Sequence, residues 1–411
     1  MTLTFDDSPQ LPGVDEALAP FRAATAERQG SHVGDDRAAQ VFAYYFPQWH
    51  VDPRNEDMLG AGWTEWDVLR PAQPRFPGHR QPRRPLWGEA DESDPAVASR
   101  AVGAALDHEI SGFIVDWYWY DNAPFLNRYL DEGLLHADRL DEFQFGLMWA
   151  NHDWTELYPA AHGNPGTLLP APRGRYHAEQ AFDHILEHYL GHPSYWRIDG
   201  AAYFSIYDLP GLISGMGGPI ETARLLDSFR RRAQDAGVGE LHLNGVLTPQ
   251  VPDPRNLLPN LGFDSGTHYT WWHHADQEQT FPNTPYSIPA ADAERVWDDM
   301  TNELEVPYIP NVTVGWDPTP RTIEWAMDRD AGYPFTTVLT DGTPELYGAA
   351  LEAALEHVNA GPSPRYVSIN AWNEWTEGSY LEPDETDGFG YLEATATAIR
   401  RARASDKESR S

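Results

Sequence analysis

Eight short β-rich runs, each close to continuously apolar, recur along the chain with helical patterns between several of them, and this alternation constrains the fold more than any other feature. The runs are VFAYYFPQW (41–49), GFIVDWYWY (112–120), FQFGLMWAN (143–151), AAYFSIYD (201–208), LHLNGVLT (241–248), LGFDSGTHY (261–269), PYIPNVTVGWD (307–317) and YVSINAWNEW (366–375). Continuous rather than alternating apolarity marks strands buried on both faces, as in a parallel sheet. Apolar residues at three- and four-residue spacing predict helices over 95–109, 177–190, 220–237, 291–304, 344–361 and 391–404, two of them closing on Gly237 and Gly361. Together these elements predict an α/β fold of the (β/α)8 TIM-barrel type, a single domain with long βα loops. A doubly wound sheet would carry a Gly-rich turn after its first strand, and FPQWHVDPRNEDM has none.

A barrel with insertions accounts for a chain of 411 residues. Residues 1–36 and 404–411 are polar and punctuated by small residues, which predicts a loosely held N-terminal extension and a C-terminal tail around a barrel domain at 37–403. The balance of 63 acidic against 29 basic residues, a formal charge of −34, repels polyanions, so neither nucleic acid nor an anionic membrane is an expected partner. No basic segment precedes an apolar one near the N-terminus, and no apolar stretch reaches the roughly 18 residues of a membrane span, so a cytoplasmic protein without membrane insertion is expected. The absence of cysteine excludes a thiol nucleophile, thiolate metal sites and disulfides.

The 16 tryptophans exceed what core packing asks for, and many stand beside Asn, Asp, Glu or His. Such mixtures suit stacking on sugar faces with polar groups at the rim, so the expected partner is a carbohydrate. Polar and aromatic residues also gather at the C-terminal ends of the runs, the face where a barrel carries its active site. The candidate substrate contacts there are Tyr45, Gln48, Trp49 and His50, then Asp116, Trp117 and Tyr118, then Trp149, Asn151, His152 and Asp153. Tyr207, His268, Tyr269, Trp316, Asp317, Trp372, Asn373 and Trp375 complete the ring. In the long first loop (44–85), Trp63 and Trp66 could form a stacking platform with Trp49, and Glu65 a hydrogen-bond partner; the alternative is a loop packed by its own aromatics. Asp116 has the alternative of a loop-closing hydrogen bond, and Asp153 that of a helix cap. Arg321 would either anchor a carboxylate or brace Asp317. Although His268, His273 and His274 lie close together, no HExxH spacing or carboxylate triad accompanies them, and neither a metal nor a cofactor is expected.

The run SINAWNEWTEGSYLEPDE (368–385) carries the chemistry. Glycoside cleavage needs a carboxylic acid to protonate the departing oxygen and a second carboxylate about 5–5.5 Å away in retaining enzymes. Glu374 and Glu377 meet that separation if the strand has ended and they share a helical turn, where positions i and i+3 are neighbours. The alternative for the pair is a loop-bracing acid cluster. As a catalytic pair, Glu377 would hold a proton through burial against Trp375 and repulsion from ionised Glu374. Glu382, Asp384 and Glu385 read as solvated loop charge. No GxxxxGK[ST], GxGxxG or GxSxG supports a nucleotide hydrolase, a dinucleotide enzyme or an α/β-hydrolase.

From about residue 41 to 395, the motifs YYFPQWH, GWTEWDVLRPAQPRFPGHRQP, GFIVDWYWY, MWANHDW, GWDPTPR and INAWNEWTEGSYLEPDE resemble WbsX-type proteins of O-antigen clusters. These share a domain with glycoside hydrolase family 99, the endo-α-mannosidase family. The resemblance implies a (β/α)8 barrel that acts without metal and with retention on α-mannosidic linkages. The family's NEWHEG-like run maps onto NEWTEG here. It implies Glu374 as the base on the sugar's own 2-hydroxyl, giving a 1,2-anhydro intermediate, and Glu377 as the acid/base. Thr376 replaces the hydrolase histidine, a departure that bears on mannose specificity. WbsX-type proteins carry a glycosyltransferase name, so a transferase of polysaccharide assembly is the second expectation, and a non-catalytic sugar-binding barrel the third.

Overall fold

The structure is a computed structural model that describes residues 13–30, 38–160, 166–273, 279–323, 332–361 and 365–409. Nine parallel strand segments form one nearly closed barrel: β1 (Gln40–Tyr45), β2 (Gly112–Tyr120), β3 (Gln144–Trp149), β4 (Ala201–Ile206), β5 (Leu241–Val246), β6 (Ser265–Thr267), β7 (Tyr308–Ile309), β8 (Asn311–Thr313) and β9 (Tyr366–Asn370). Their order around the wall is β7-β6-β5-β4-β3-β2-β1-β9-β8. The two ends of that order, β7 and β8, are halves of one stave, parted at Pro310, which has no N–H to give a ladder. β7 pairs with β6 and β8 with β9, so the eight runs of the sequence become eight staves. The carbonyl of Pro310 accepts from the amide of Ser368 at 2.9 Å and keeps the seam tied.

Each strand buries both faces. The inner face meets the barrel interior, filled by Phe42, Tyr44, Ile114, Met148, Tyr203 and Tyr366, with Trp196 stacked on Phe42 at 3.7 Å. Gly146 makes room for this filling, since a Cβ there would meet Trp196 and Tyr203 at 3.2 and 3.0 Å. The outer face meets the helices, which include Pro95–Asp107, Arg175–His188, Pro219–Asp235, Ser287–Glu303, Pro344–Ala360 and Gly390–Ser409. Several start on a residue whose side chain caps the first turn just before a proline: Asp94 accepts from Ala96 N, and Thr343 from Leu346 N. Of the two expected closing glycines, Gly237 is left-handed (φ 77°), whereas Gly361 is not (φ −87°).

Among the described residues, part of each segment expected to be loose is helical. Val14–Gly30 is a helix, tied beside the entry to β6 by Arg28 Nε on Asp264 Oδ1 at 2.6 Å and by Gln29 on the Asp264 carbonyl at 2.7 Å. The last helix runs on to Ser409, and Asp406 pairs with Arg365 at 2.9 Å. Among the described residues, no helix is long and apolar enough to cross a membrane.

Candidate active site at the barrel mouth

At the C-terminal end of the barrel lies a cavity of ≈ 320 Å³ whose lining includes Phe46, Asp116, Tyr118, Met148, His152, Tyr158, Tyr207, Tyr269, Trp272, His273, Trp316, Arg321, Tyr333, Glu374 and Glu377. β9 ends at Asn370, and the chain then forms a short bridge (Asn373–Glu374 against Ser379–Tyr380) closed by a single 3₁₀ turn, Trp375–Glu377. The turn brings Glu374 and Glu377 to one side, both buried. Gly378 ends it in the left-handed region (φ 64°), where a Cβ would lie 2.6 Å from that of Asp317.

Arg321 organises the acids. Its Nη1 stands 2.6 Å from Glu377 Oε1 and its Nη2 3.2 Å from Glu374 Oε2, so one guanidinium holds one carboxylate on each terminal nitrogen. Nε donates to Thr376 Oγ1 at 2.8 Å and reaches Glu65 Oε1 at 3.3 Å, while Thr376 donates to the same Glu65 oxygen at 2.6 Å. Tyr333 donates its hydroxyl to Glu377 Oε1 at 2.6 Å and also bonds Arg321. Arg321 therefore braces the protein's own glutamates and not Asp317.

On the opposite side, Tyr269 OH lies 3.0 Å from Asp116 Oδ2 and 3.1 Å from Glu374 Oε1. Burial, then the charge of Glu377, pushes the Glu374 carboxyl well above the ordinary range against the pull of Arg321. Burial also pushes Asp116 well up, against the Tyr269 hydrogen bond. The sequence expectation had the raised carboxyl at Glu377, through contact with Trp375. In the structure Trp375 faces away from the cavity, stacked on Tyr380 at 3.7 Å. Burial holds His273 down at about 4, and lowers His152 as well, so both imidazoles are neutral near pH 7.

Of the expected contacts, Asp116, Tyr118, His152, Tyr207, Tyr269, Trp316, Glu374 and Glu377 line the cavity, and the rest are placed elsewhere. Strand alternation removes three: Tyr45 stacks outward on Tyr129 at 3.7 Å, Trp117 lies against Trp119 and His184, and Trp149 meets Phe182 edge-on. The first loop is packed by its own aromatics. Trp49 lies 4.1 Å from Trp66, whose indole donates to Ala90 O, and Trp63 meets Tyr158. Gln48 is buried beneath this loop, its main-chain carbonyl accepting from Glu65, and His50 Nδ1 pairs with Glu92 at 2.8 Å. Glu65 stands behind Arg321, outside the cavity lining.

The remaining polar residues close loops. Asn151 exchanges two hydrogen bonds with the backbone of Asp208, and Asn373 does the same with Phe46. Asp153 accepts from Ala171 N at 2.7 Å, and His268 pairs with Tyr308 OH at 2.7 Å. Asp317 is fully buried between His79 (2.8 Å), Gln81 (2.7 Å) and Thr319 (2.6 Å). Glu382 is no solvated charge: it accepts from the indoles of both Trp372 and Trp375. Asp384 is likewise buried and accepts from Tyr380 at 2.7 Å, whereas Glu385 is exposed. His274 lies outside the described residues.

Tyr158, Trp272 and Tyr333 are lining residues that sequence reasoning did not single out. Tyr333 sits in AGYPFTT, with no strand end to mark it. Trp272 carries a signal in its place in THYTWWHH, at the end of β6, beside the expected contacts His268 and Tyr269.

The profile of the family described as "Glycosyltransferase WbsX" matches residues 41–395, and the chain belongs to that family. Two strains of Xanthomonas campestris pv. campestris have a relative named WxcX, 30% identical over 373 residues. That match covers 89% of this chain but 50% of the relative, so the chain spans about half the length of the curated relatives it matches. Among solved structures, the GH99 endo-alpha-mannosidase from Bacteroides thetaiotaomicron superposes with a TM-score of 0.55 at 16% identity, over 90% of this chain and 100% of that one. Its complex with bis-tris-propane gives 0.58 at 16% identity, over 91% and 100%. A glycoside hydrolase-like protein gives 0.56 at 12% identity, over 96% and 98%. The fold is thus that of the GH99 barrels.

Proposed function

We propose that the protein is a metal-independent glycoside hydrolase that cleaves an α-mannoside-like substrate with retention, using Glu374 and Glu377. The observation that carries this reading is the single turn at the barrel mouth that sets both glutamates on one guanidinium, facing an aromatic cavity. As the base that takes the proton of a sugar 2-hydroxyl, giving a 1,2-anhydro intermediate, Glu374 must be ionised, a state that Arg321 Nη2 at 3.2 Å favours against the upward push of burial. Glu377, bonded to Tyr333, is then the acid that protonates the leaving oxygen and later the base that activates water. Trp272 and Trp316, parallel within 7° at 6.1 Å, offer the ring-stacking surface.

The family's name favours a second reading, a glycosyltransferase. Against it stands the charge of the cavity. Among the described lining residues, Arg321 is the one permanent cation, and it is already engaged by three glutamates. A sugar diphosphate would therefore meet buried carboxylates rather than a cationic cradle.

The test is hydrolysis of a panel of aryl α- and β-glycosides and oligosaccharides, mannosides included, by the wild type, Glu374→Gln and Glu377→Gln, with NMR of the first product anomer. Retained configuration, with turnover lost in both variants, supports the hydrolase. Near-normal rates in Glu377→Gln would refute the assignment. No cleavage, together with thermal protection by a nucleotide sugar, would move the function to the transferase.

A further inference from the structure

Glu382 lies outside the cavity lining, on the far side of the turn that carries Glu374 and Glu377. An indole N–H can only donate, and a carboxylate can accept at both oxygens. Glu382 uses one oxygen for each of two buried tryptophans: Trp372 Nε1 donates to Oε1 at 3.2 Å and Trp375 Nε1 to Oε2 at 2.7 Å. Those tryptophans bracket Asn373-Glu374 in the chain. The main-chain carbonyl of Trp372 also accepts from the amides of Leu381 and Glu382, both at 3.0 Å, and Asn373 is fastened to Phe46 by two hydrogen bonds. The backbone around Glu374 is thus held on one side by Phe46, just past β1, and on the other by the bridge to Ser379–Tyr380, while the Glu382 carboxylate is the group that ties both flanking indoles together.

We propose that Glu382 is a positioning residue for the acid–base pair, its carboxylate locking Trp372 and Trp375 and, through them, the turn that aims Glu374 and Glu377. The catalytic part of this inference rests on the hydrolase reading; the clamp itself does not. The groups that face Glu382 from other elements are Glu92, itself paired with His50, and Arg100, with Tyr45 and Tyr129 nearby. Burial and the charge of Glu92 raise Glu382 to about 7, against the indole hydrogen bonds and Arg100. Protonation turns one oxygen into a hydroxyl, a weaker acceptor than a carboxylate oxygen, and removes the charge that both indoles bond to, so the clamp loosens as the pH falls through that value.

The experiment follows the assigned indole ¹H–¹⁵N resonances of Trp372 and Trp375 in the full chain, from about pH 5 to about pH 9, and kcat and KM on a substrate that the wild type cleaves. The expected result is that both indoles shift together with one midpoint near 7. In Glu382→Gln the coupled shift disappears, and kcat falls by about ten- to a hundredfold at nearly constant KM, with the acid limb of the pH profile lost. Glu382→Asp, which keeps the carboxylate, recovers part of the rate. Indoles that stay still or titrate separately in the wild type would overturn the clamp, even if Glu382→Gln does not fold. Unchanged kcat and pH profile in that variant would overturn the positioning role. A wild type that cleaves no glycoside removes the hydrolase reading, while a coupled indole titration still upholds the clamp.

Discussion

The hydroxyl of Tyr269 lies 3.1 Å from Oε1 of Glu374 and, with its single proton, also stands 3.0 Å from Asp116 Oδ2. One phenolic hydrogen cannot fully serve two carboxylates, so a proton on Asp116 or Glu374 is needed for both contacts to be hydrogen bonds. The upward push on both acids agrees with that count. Replacing Tyr269 with Phe removes the shared hydrogen and leaves two buried acids facing each other. The expected loss is about 1.5–3 kcal/mol of transition-state stabilisation, or roughly ten- to a hundredfold in kcat/KM. Steady-state kinetics on Tyr269→Phe checks this, and a rate within twofold of wild type would refute it.

Arg321→Met tests the guanidinium as a counter-charge. It strands Glu65, Glu374 and Glu377 as buried acids, at a cost of about 3–5 kcal/mol. Without the cation these carboxyls hold protons more tightly folded than unfolded, so the folded state binds more protons and the stability of the variant falls as pH rises. Urea unfolding at about pH 5 and about pH 8 should show the deficit against wild type growing with pH.

Asp317 behaves in the opposite sense. Burial alone would raise it, but the hydrogen bond of His79, the charge of Arg83 and the Thr319 hydroxyl outweigh burial and hold it at about 2. A carboxyl lowered in the folded state adds stability that is fully present above its unfolded value and is lost as pH falls from about 4 to about 2. Asp317→Asn should therefore cost roughly 2–3 kcal/mol near neutrality, and the difference from wild type should shrink on acidification. Because His79 and Gln81 belong to the long first loop, limited proteolysis should also cut the variant earlier within 75–83.

Gly378→Ala puts a Cβ into a left-handed position 2.6 Å from the Cβ of Asp317. The strain is about 1–3 kcal/mol. Relief by shifting the turn moves Glu377, whose carbonyl accepts from the Asp317 amide. Turnover is expected to fall by at least about tenfold. Thermal unfolding measured alongside kinetics separates the two losses, and an unaltered kcat would exclude a shifted turn.

The staves were legible because burial on both faces writes each strand as an unbroken apolar run, and the helices because one buried face writes apolar residues at three- and four-residue spacing. The same unbroken runs hide which residues face inward. Asp116 and Tyr118 enter the cavity while Trp117 between them meets the helices, and nothing in GFIVDWYWY separates the two sets. The glutamate pair stood out through its polar, tryptophan-rich setting at a strand end. The joining of its partners is not legible: Glu65, expected as a substrate contact, and Tyr333 sit in loops whose meeting with Arg321 depends on the closed barrel. Tryptophan richness misled in the first loop, where Trp49, Trp63 and Trp66 supply packing among themselves and Tyr158.

Glu65 and Arg321 are 256 positions apart in the chain, and Arg321 and Glu377 a further 56. The gathering of three glutamates on one guanidinium is therefore a property of the completed ring. A chain synthesised only as far as its sixth stave would already hold Glu65 and Asp116 without the cation, and one extended past Arg321 would hold the cation without Glu374 and Glu377. The last stave brings in both the missing wall and the glutamate pair, so closing the barrel and assembling the acids around Arg321 are a single event.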